Sequence, residues 1–210
     1  MRNFQVKIVC VEETMHSTGS GCTYDDMRSM KNQNYDGIDR LTGLYNGEYA
    51  LKEIQAYMEQ NPECTAAVYI MDIDNFRTVD ETLGRLFGNE IMKEIAAAIC
   101  QVFRKQAVIG RIGGDKFLIF EKNYESVDRI RENAEELCHR ARSTFKGEDQ
   151  NFVISLSIGI AIMPDDGYEW KQLAQHATQA LTYVKNHGKD GYEFYNSEMD
   201  TVDEPADAWM

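Results

Sequence analysis

The sequence has few features of extracellular, membrane or nucleic-acid-binding proteins. Its five cysteines form no C-x-x-C pair and are odd in number, so we expect reduced thiols, with neither disulfides nor a structural zinc site. The longest apolar run, at 66–71, is far shorter than the roughly 20 residues that cross a bilayer, and no signal peptide is visible. Lys and Arg number 22 against 35 Asp and Glu, which argues against binding a nucleic-acid polymer. We therefore expect a soluble, cytoplasmic protein with no membrane segment in this chain.

The acidic balance, a net charge of −13, still permits a small ligand held through a divalent cation, because such cations bind carboxylates. The length of 210 residues suits one domain with appendages. We predict a leader at 1–35 that is poorly ordered in part or ends an upstream module, a folded domain at 36–197, and an acidic disordered tail at 198–210.

Helical and strand-like patterns alternate through the folded domain. Strand patterns occur at 65–72, 107–111, 116–121, 152–163 and 191–195, and helical patterns at 48–60, 86–103, 126–145 and 170–187. The second and third strands are close enough to form a hairpin. A hairpin inside such an alternation predicts an α+β, ferredoxin-like fold, with a mostly antiparallel sheet covered by helices.

Two short segments place carboxylates at the ends of predicted strands. Asp72 and Asp74 follow a buried strand and share a face if the chain stays extended. They suit Mg²⁺, although capping the next helix in contact with water explains them equally simply. In the hairpin turn, Gly113 and Gly114 let the backbone approach a ligand closely and present Asp115 at the tip. The same residues are also common in turns that bind nothing.

A third segment carries two lysines. Lys185 and Lys189 lie four apart across the end of a helix. They could hold phosphate groups, or simply complement the helix C-terminus. No P-loop or dinucleotide-binding glycine motif is present, and no Ser/His/Asp or Cys/His nucleophile arrangement is evident.

Six motifs, taken together and in order, resemble those of the GGDEF family, the bacterial diguanylate cyclases. They are D-R-L-T-G-L-Y-N at 39–46, D-I-D-N-F-R at 72–77, the glycines at 84 and 88, R-I-G-G-D-K-F at 111–117, S-I-G-I-A at 157–161 and A-L-T-Y-V-K-N-H-G-K-D at 180–190. The resemblance covers about 39–195, most of the chain. It implies a palm-type nucleotidyl cyclase fold.

The resemblance also implies an activity. In this family two GTP-loaded domains face each other as a homodimer and form cyclic di-GMP with Mg²⁺ or Mn²⁺. An upstream sensory or dimerising module usually controls them. By motif position, Asp72, the Ile73 carbonyl and Asp115 would hold the metals, and Asp115 would also accept the proton of the attacking hydroxyl.

The remaining roles carried over by position concern the phosphates. Arg77 stands where the family has a Lys that steadies the phosphates during the reaction. Lys185 and Lys189 would hold the terminal phosphates, and Lys189 replaces an Arg. The backbone at Gly113 and Gly114 would lie against the substrate.

Several positions depart from the family pattern. Lys116 replaces the Glu of the signature and brings an ammonium near the metals, where it would repel them unless it turns away or pairs with a phosphate. At the guanine-recognising positions the chain has Asp80, Arg85 and Asn89, with the amide and the carboxylate exchanged. Arg104 keeps the start of the product-inhibition motif, but its Asp is replaced by Ala107.

Two functions remain open from the sequence. The first is a diguanylate cyclase whose turnover is weak or absent because of Lys116 and the altered base pocket. The second is a non-catalytic GGDEF-like module that binds a nucleotide or a protein within cyclic di-GMP signalling.

Overall fold

The computed structural model describes residues 37–103, 107–142, 144–146 and 151–201. The leader predicted at 1–35 and residues 202–210 of the predicted tail lie outside these ranges. Ser197–Thr201 forms a 3-10 helix in which Met199 is buried, so regular structure continues four residues past the boundary predicted at 197. Among the described residues, Cys64, Cys100 and Cys138 are not joined in disulfides.

Eight strands and five α-helices make up the described residues. In chain order they are β1 (Tyr45–Asn46), α1 (Gly47–Gln60), β2 (Ala66–Ile73), α2 (Phe76–Leu83), α3 (Arg85–Phe103), β3 (Ala107–Gly113), β4 (Lys116–Lys122), α4 (Val127–Ala141), β5 (Thr144–Lys146), β6 (Asn151–Val153), β7 (Leu156–Met163), α5 (Trp170–Asn186) and β8 (Gly191–Phe194). Among these helices, none combines the length and apolarity of a bilayer-spanning segment.

Six strands form one mixed sheet in the order β1-β3-β4-β2-β7-β8. The central strand β2 is antiparallel to both β4 and β7, and β3 and β4 form the expected hairpin. The edge strands β1 and β8 are parallel to their neighbours. This mixed, largely antiparallel sheet with helices packed against it confirms the predicted α+β fold.

Strand β2 is buried along its whole length because helices cover both faces of the sheet. Alternate side chains of a strand face opposite sides. Tyr69 and Met71 pack into a core with α3 and α4, whereas Val68 and Ile70 pack into a second core with α1 and α5. The strand therefore reads as a continuous apolar run, and its carboxyl end is the first point at which a polar side chain emerges.

Two predicted boundaries were wrong in the region between α4 and β7. The helix predicted at 126–145 ends at Ala141, and the strand predicted at 152–163 is two strands. Residues 151–153 pair with β5 in a separate two-stranded sheet, while Leu156 onward pairs with β2. Residues 154 and 155 belong to neither strand. The alternation of apolar residues continues through them, so the sequence pattern does not show where the first strand ends.

Candidate functional site

The candidate site lies at the carboxyl end of β2, where the β3–β4 turn lies beside the strand. The turn needs its two glycines, since Gly113 and Gly114 adopt φ values of 130° and 54°. The backbone N–H of Ile73 donates to the carbonyl of Asp115 at 3.3 Å. The turn that carries Asp115 is thus held against the end of β2, next to Asp72.

Asp72 and Asp115 form a pair of neighbouring carboxylates. Asp72 is only 7% exposed. Burial, followed by the negative charge of Asp72, raises the pKa of Asp115 above its usual value. The structure therefore brings together two of the groups that sequence analysis predicted as metal ligands, and it places the Ile73 backbone beside them.

This donor set fits Mg²⁺. Within the described ranges, no group of three or more His, Cys, Asp or Glu side chains is arranged to hold a metal. Mg²⁺ is commonly bound by one or two carboxylates and completes its shell with water and phosphate oxygens, which two carboxylates and a backbone carbonyl allow. A divalent cation would also relieve the repulsion between Asp72 and Asp115.

Lys185 lies in the last turn of α5 and forms an ion pair with Asp72. Its Nζ atom lies 2.8 Å from Oδ2 of Asp72. The helix reaches this position because α5 packs along β7 and β2 on the second core. The predicted phosphate-binding lysine is therefore, in this structure, the partner of the predicted metal ligand.

Lys116 is the register partner of Asp72 in the neighbouring strand. It is the first residue of β4 and lies directly across from Asp72 in the antiparallel register. Side chains of directly opposed residues share one face of a sheet. Two carboxylates, Asp72 and Asp115, and two lysines, Lys185 and Lys116, thus belong to this end of the sheet, and the charges of both lysines act on Asp115.

Asp74 has a structural role that sequence analysis did not foresee. Its carboxylate is buried and accepts hydrogen bonds from the hydroxyls of Ser155 and Ser157, each at 2.7 Å. It also accepts the backbone N–H of Asp190 at 3.0 Å. The Asp74 oxygens therefore bind β7 and the segment after α5, whereas Asp72 lies with Asp115 at the candidate metal site.

Lys189 belongs to the segment that Asp74 anchors. Its backbone is left-handed, with a φ of 61°, and its Nζ donates to Oδ1 of Asn75 at 2.8 Å. The next residue, Asp190, is held by Arg142 at 2.8 Å. Lys189 is thus fixed near the start of α2, whereas Lys185 lies against Asp72.

A cavity of about 470 Å³ opens beside Asp115, between the β3–β4 turn, α2 and the start of α3. It is lined by Phe76, Arg77, Asp80, Glu81, Arg85, Gly114 and Asp115. Arg77, Asp80, Arg85 and Gly114, which the sequence predicted as site residues, therefore line the same cavity as Asp115. Asn89 and Gly113 are not among the lining residues.

Two features of α2 shape this cavity. Arg77 extends toward solvent and pairs with Glu81 at 2.8 Å, so its guanidinium is not directed at Asp72. Asp80 packs against Gly88, where an added Cβ would overlap the carboxylate and touch the ring of Phe76. Gly88 therefore leaves the space that Asp80, the one carboxylate among the three predicted base-binding residues, occupies.

The structure reveals one functional connection that sequence analysis missed. Arg111 donates to Asp39 at 3.0 Å and, with two further N–H groups, to the carbonyl of Gly114 at 2.7 and 2.9 Å. Thr42 also donates to Asp39 through its backbone N–H and its hydroxyl. Burial opposes ionisation of Asp39, but the bonds from Thr42 and Arg111 outweigh it and lower its pKa.

Asp39 and Arg111 belong to the motifs at 39–46 and 111–117. They lie 72 residues apart, so no local sequence pattern indicates that they are in contact. Arg104, the predicted remnant of a product-inhibition site, lies outside the described residues.

Comparison with known proteins gives a family match over most of the domain. The family model described as "Diguanylate cyclase, GGDEF domain" matches residues 37–191. The bifunctional diguanylate cyclase/cyclic di-GMP phosphodiesterase MucR of Pseudomonas aeruginosa is 34% identical over 163 residues, covering 77% of this chain and 24% of that protein. The signaling protein YkoW of Bacillus subtilis is 27% identical over 161 residues, covering 75% of this chain and 20% of YkoW. The chain therefore spans about a quarter or less of these relatives.

Solved structures share the fold. The GGDEF domain of TpbB (YfiN) from Pseudomonas aeruginosa superposes with a TM-score of 0.73 at 22% identity, covering 78% of this chain and 97% of that one. The GGDEF domain of DgcB from Caulobacter crescentus, solved with c-di-GMP, gives a TM-score of 0.68 at 22% identity, covering 77% and 97% of the two chains.

Proposed function

Since the chain belongs to the GGDEF domain family, we propose that it binds GTP with Mg²⁺ and, paired with a second copy, forms cyclic di-GMP at a low rate. The observation that supports the proposal is the Asp72–Asp115 carboxylate pair, of which Asp115 lines a cavity of about 470 Å³, large enough for a nucleotide. Access to GTP implies a cytoplasmic location, and an upstream sensory or dimerising module would bring two copies together.

Each part of the site would serve one part of the nucleotide. Asp72, Asp115 and the Ile73 carbonyl would hold the metal, which when bound would polarise the phosphate under attack. Lys185, Lys189 and Arg77 would neutralise the phosphates, with the backbone at Gly113 and Gly114 alongside. Lys189 is bonded to Asn75, the residue before α2, and Arg77 is the second residue of α2 and lines the cavity.

Asp115 is suited to act as the proton acceptor. The 3′-hydroxyl oxygen of one GTP would bond to the α-phosphorus of the other, pyrophosphate would leave, and the hydroxyl proton would pass to Asp115. Burial and the neighbouring Asp72 raise the pKa of Asp115, which makes its carboxylate a stronger base.

Asp80 would select guanine. A carboxylate only accepts hydrogen bonds, and guanine presents donors at N1 and N2, whereas adenine presents an acceptor at N1. Asp80 lines the cavity and Asn89 does not. Although Asp80 and Asn89 are exchanged relative to the family pattern, the carboxylate is thus the group that would contact a base in the cavity.

Lys116 is the reason to expect slow turnover. It lies opposite Asp72 in the neighbouring strand, and its charge acts on Asp115 together with that of Lys185, so a divalent cation would enter a site that already carries two positive groups. A charge pair at ~5 Å in a partly solvated site is worth on the order of 1–3 kcal/mol. Each 1.36 kcal/mol added to the barrier slows the reaction about tenfold.

The same observation supports a second candidate function. If Lys116 prevents metal binding altogether, the domain would act within cyclic di-GMP signalling through a nucleotide or a protein partner, without catalysis. The two candidates differ in one measurable property, which is metal-dependent binding of GTP.

The test combines calorimetry and mass spectrometry. We expect GTP to bind more tightly with Mg²⁺ than with EDTA, and concentrated protein to form traces of cyclic di-GMP. The Lys116→Glu variant should form it at least tenfold faster. Lys52→Glu, which makes the same charge change on the exposed face of α1, should not. Metal-independent or absent GTP binding, with no product from Lys116→Glu, would favour the non-catalytic module.

A further inference from the structure

We propose that Lys185 is an exchangeable counter-ion of Asp72: it neutralises this carboxylate in the ligand-free protein and moves to the nucleotide phosphates when a divalent cation binds. The inference rests on the proposed function, since it assumes a site that takes both a metal and a triphosphate. It gives Lys185 a positioning role before any chemistry, in which the metal and the nucleotide depend on each other for binding.

The geometry of the ion pair places Lys185 in the path of a metal. Its Nζ lies 2.8 Å from Oδ2 of Asp72. The side chain of Asp72 is 9% exposed and that of Lys185 is 33% exposed, so an enclosed carboxylate is met by an ammonium from the solvent side. A cation that binds this oxygen would compete with Lys185 for the same negative charge.

Lys185 also acts on the second carboxylate. Burial and the charge of Asp72 raise the pKa of Asp115, and the positive charges of Lys185 and Lys116 oppose that rise. The ammonium of Lys185 thus compensates both carboxylates at once. A divalent cation would do the same with twice the charge, so the two cations compete for one anionic site.

Once displaced, Lys185 needs another anion. It lies in the last turn of a helix on a flexible four-carbon side chain, which allows its ammonium to move without moving α5. Lys189 donates to the neutral carboxamide of Asn75. Asn75 directly precedes Phe76, which lines the cavity. Lys189 therefore lies beside the cavity wall, and Lys185 acts on Asp115, which lines the cavity. A triphosphate bound there would supply the negative charge that Asp72 no longer provides.

The exchange predicts opposite effects of Lys185 on the two ligands. Removing Lys185 should strengthen binding of the metal, because nothing then competes for Asp72, and weaken binding of the nucleotide. A Lys185 that merely holds α5 against β2 predicts that its removal weakens both. The signs of two affinities therefore distinguish the two roles.

The first experiment measures Mn²⁺ binding to the full chain without nucleotide, using the electron paramagnetic resonance signal of free Mn²⁺. We expect Lys185→Met to bind Mn²⁺ about tenfold more tightly than the unmodified protein. Lys185→Arg, which keeps the charge, should stay within about threefold. The matched control is Lys171→Met, the same change at the exposed first turn of the same helix, which should leave the affinity unchanged.

The second experiment measures GTP binding in EDTA. Asp72→Asn frees Lys185 and should bind metal-free GTP more tightly than the unmodified protein, whereas Lys185→Met should bind it more weakly. Equal or weaker Mn²⁺ binding by a folded Lys185→Met protein would overturn the proposal, as would metal-free GTP binding unaffected by Asp72→Asn. Absence of GTP binding by every variant, even with Mg²⁺, would contradict the proposed function and the phosphate half of the exchange. The Mn²⁺ experiment would still decide whether Lys185 competes with the metal.

Discussion

Arg111 joins Asp39, which precedes the first strand, to the turn that presents Asp115. One edge of its guanidinium lies 3.0 Å from the Asp39 carboxylate, and two other N–H groups donate to the carbonyl of Gly114, the residue before Asp115. Both charged side chains are about four-fifths buried. The position of a candidate catalytic residue is therefore tied to the amino-terminal end of the domain, where any upstream module would connect.

Breaking this bridge should loosen the turn without unfolding the domain. We expect Arg111→Lys to lower stability by about 1–3 kcal/mol, because a lysine cannot donate to Asp39 and Gly114 at once and leaves charged hydrogen bonds unmade. Mn²⁺ affinity should also fall, since Asp115 loses its fixed position. Urea unfolding and Mn²⁺ titration measure the two effects. Arg129→Lys, in an exposed pair with Glu132 on α4, is the control and should change neither quantity.

The ionised carboxylate of Asp115 should lower the stability of the folded domain at neutral pH. Its pKa is raised by burial and by Asp72, so the folded state binds a proton more tightly than the unfolded state. The tighter proton binding contributes to the free energy of unfolding. That contribution is complete below the pKa of Asp115 in the unfolded state and is lost as the pH rises through its pKa in the folded state. Above it, we expect Asp115→Asn to be more stable than the unmodified protein by about 0.5–1 kcal/mol, a value discounted for solvent screening.

Thermal unfolding across pH 3–8 tests this expectation. The gain from Asp115→Asn should shrink as the pH falls through the folded pKa, because the native carboxyl is then neutral as well. A gain that is the same at every pH would show that packing, and not charge, causes it. A loss of stability at neutral pH would contradict the prediction.

Asp74→Asn should destabilise the domain more than its small change in shape suggests. The carboxylate accepts three donors, from Ser155, Ser157 and Asp190, and an amide replaces one acceptor oxygen with a donor. We expect a loss of about 2–4 kcal/mol, because at least one buried donor is left unpaired. Ser155→Ala, which removes a single donor, should cost about 1 kcal/mol in the same urea titration.

The same substitution should weaken GTP binding. Asp190 directly follows Lys189, so loosening its backbone frees the ammonium now held at Asn75. Mn²⁺ binding without nucleotide should be almost unchanged, because Asp72 and Asp115 stay in place. Equal losses for both ligands would contradict the anchoring role of Asp74.

Gly88→Ala should reduce GTP affinity about tenfold or more. The added methyl group would overlap the Asp80 carboxylate, so that side chain must rotate away from the cavity. Asn89→Ala, at the next position of the same helix but outside the cavity lining, should lower the affinity less than threefold. Calorimetry with GTP and ATP measures both effects, and Gly88→Ala should narrow the preference for GTP. A larger effect of Asn89→Ala would show that the base contacts Asn89 instead of Asp80.

The sequence was sufficient for the main architecture and for the residue types of the site. The apolar run of β2, the glycines of the turn and the helical stripes are local patterns, and local sterics and burial decide them. Six ordered motifs likewise identified the family that the comparisons show. The two strands that the alternation merged, β6 and β7, could not be separated, because both are extended and only their partners differ.

Only the tertiary structure decided how the charged groups combine. Asp72 and Asp74 look equivalent in the sequence, yet one meets Lys185 and the other meets two serine hydroxyls, because different neighbours reach them in space. Strand register places Lys116 opposite Asp72, and Arg111 pairs with Asp39 across 72 residues. Charge interactions depend on distance and burial, which are set by the packing of segments far apart in the chain. The sequence alone therefore determined which chemical groups are available, and the fold determined which of them act on each other.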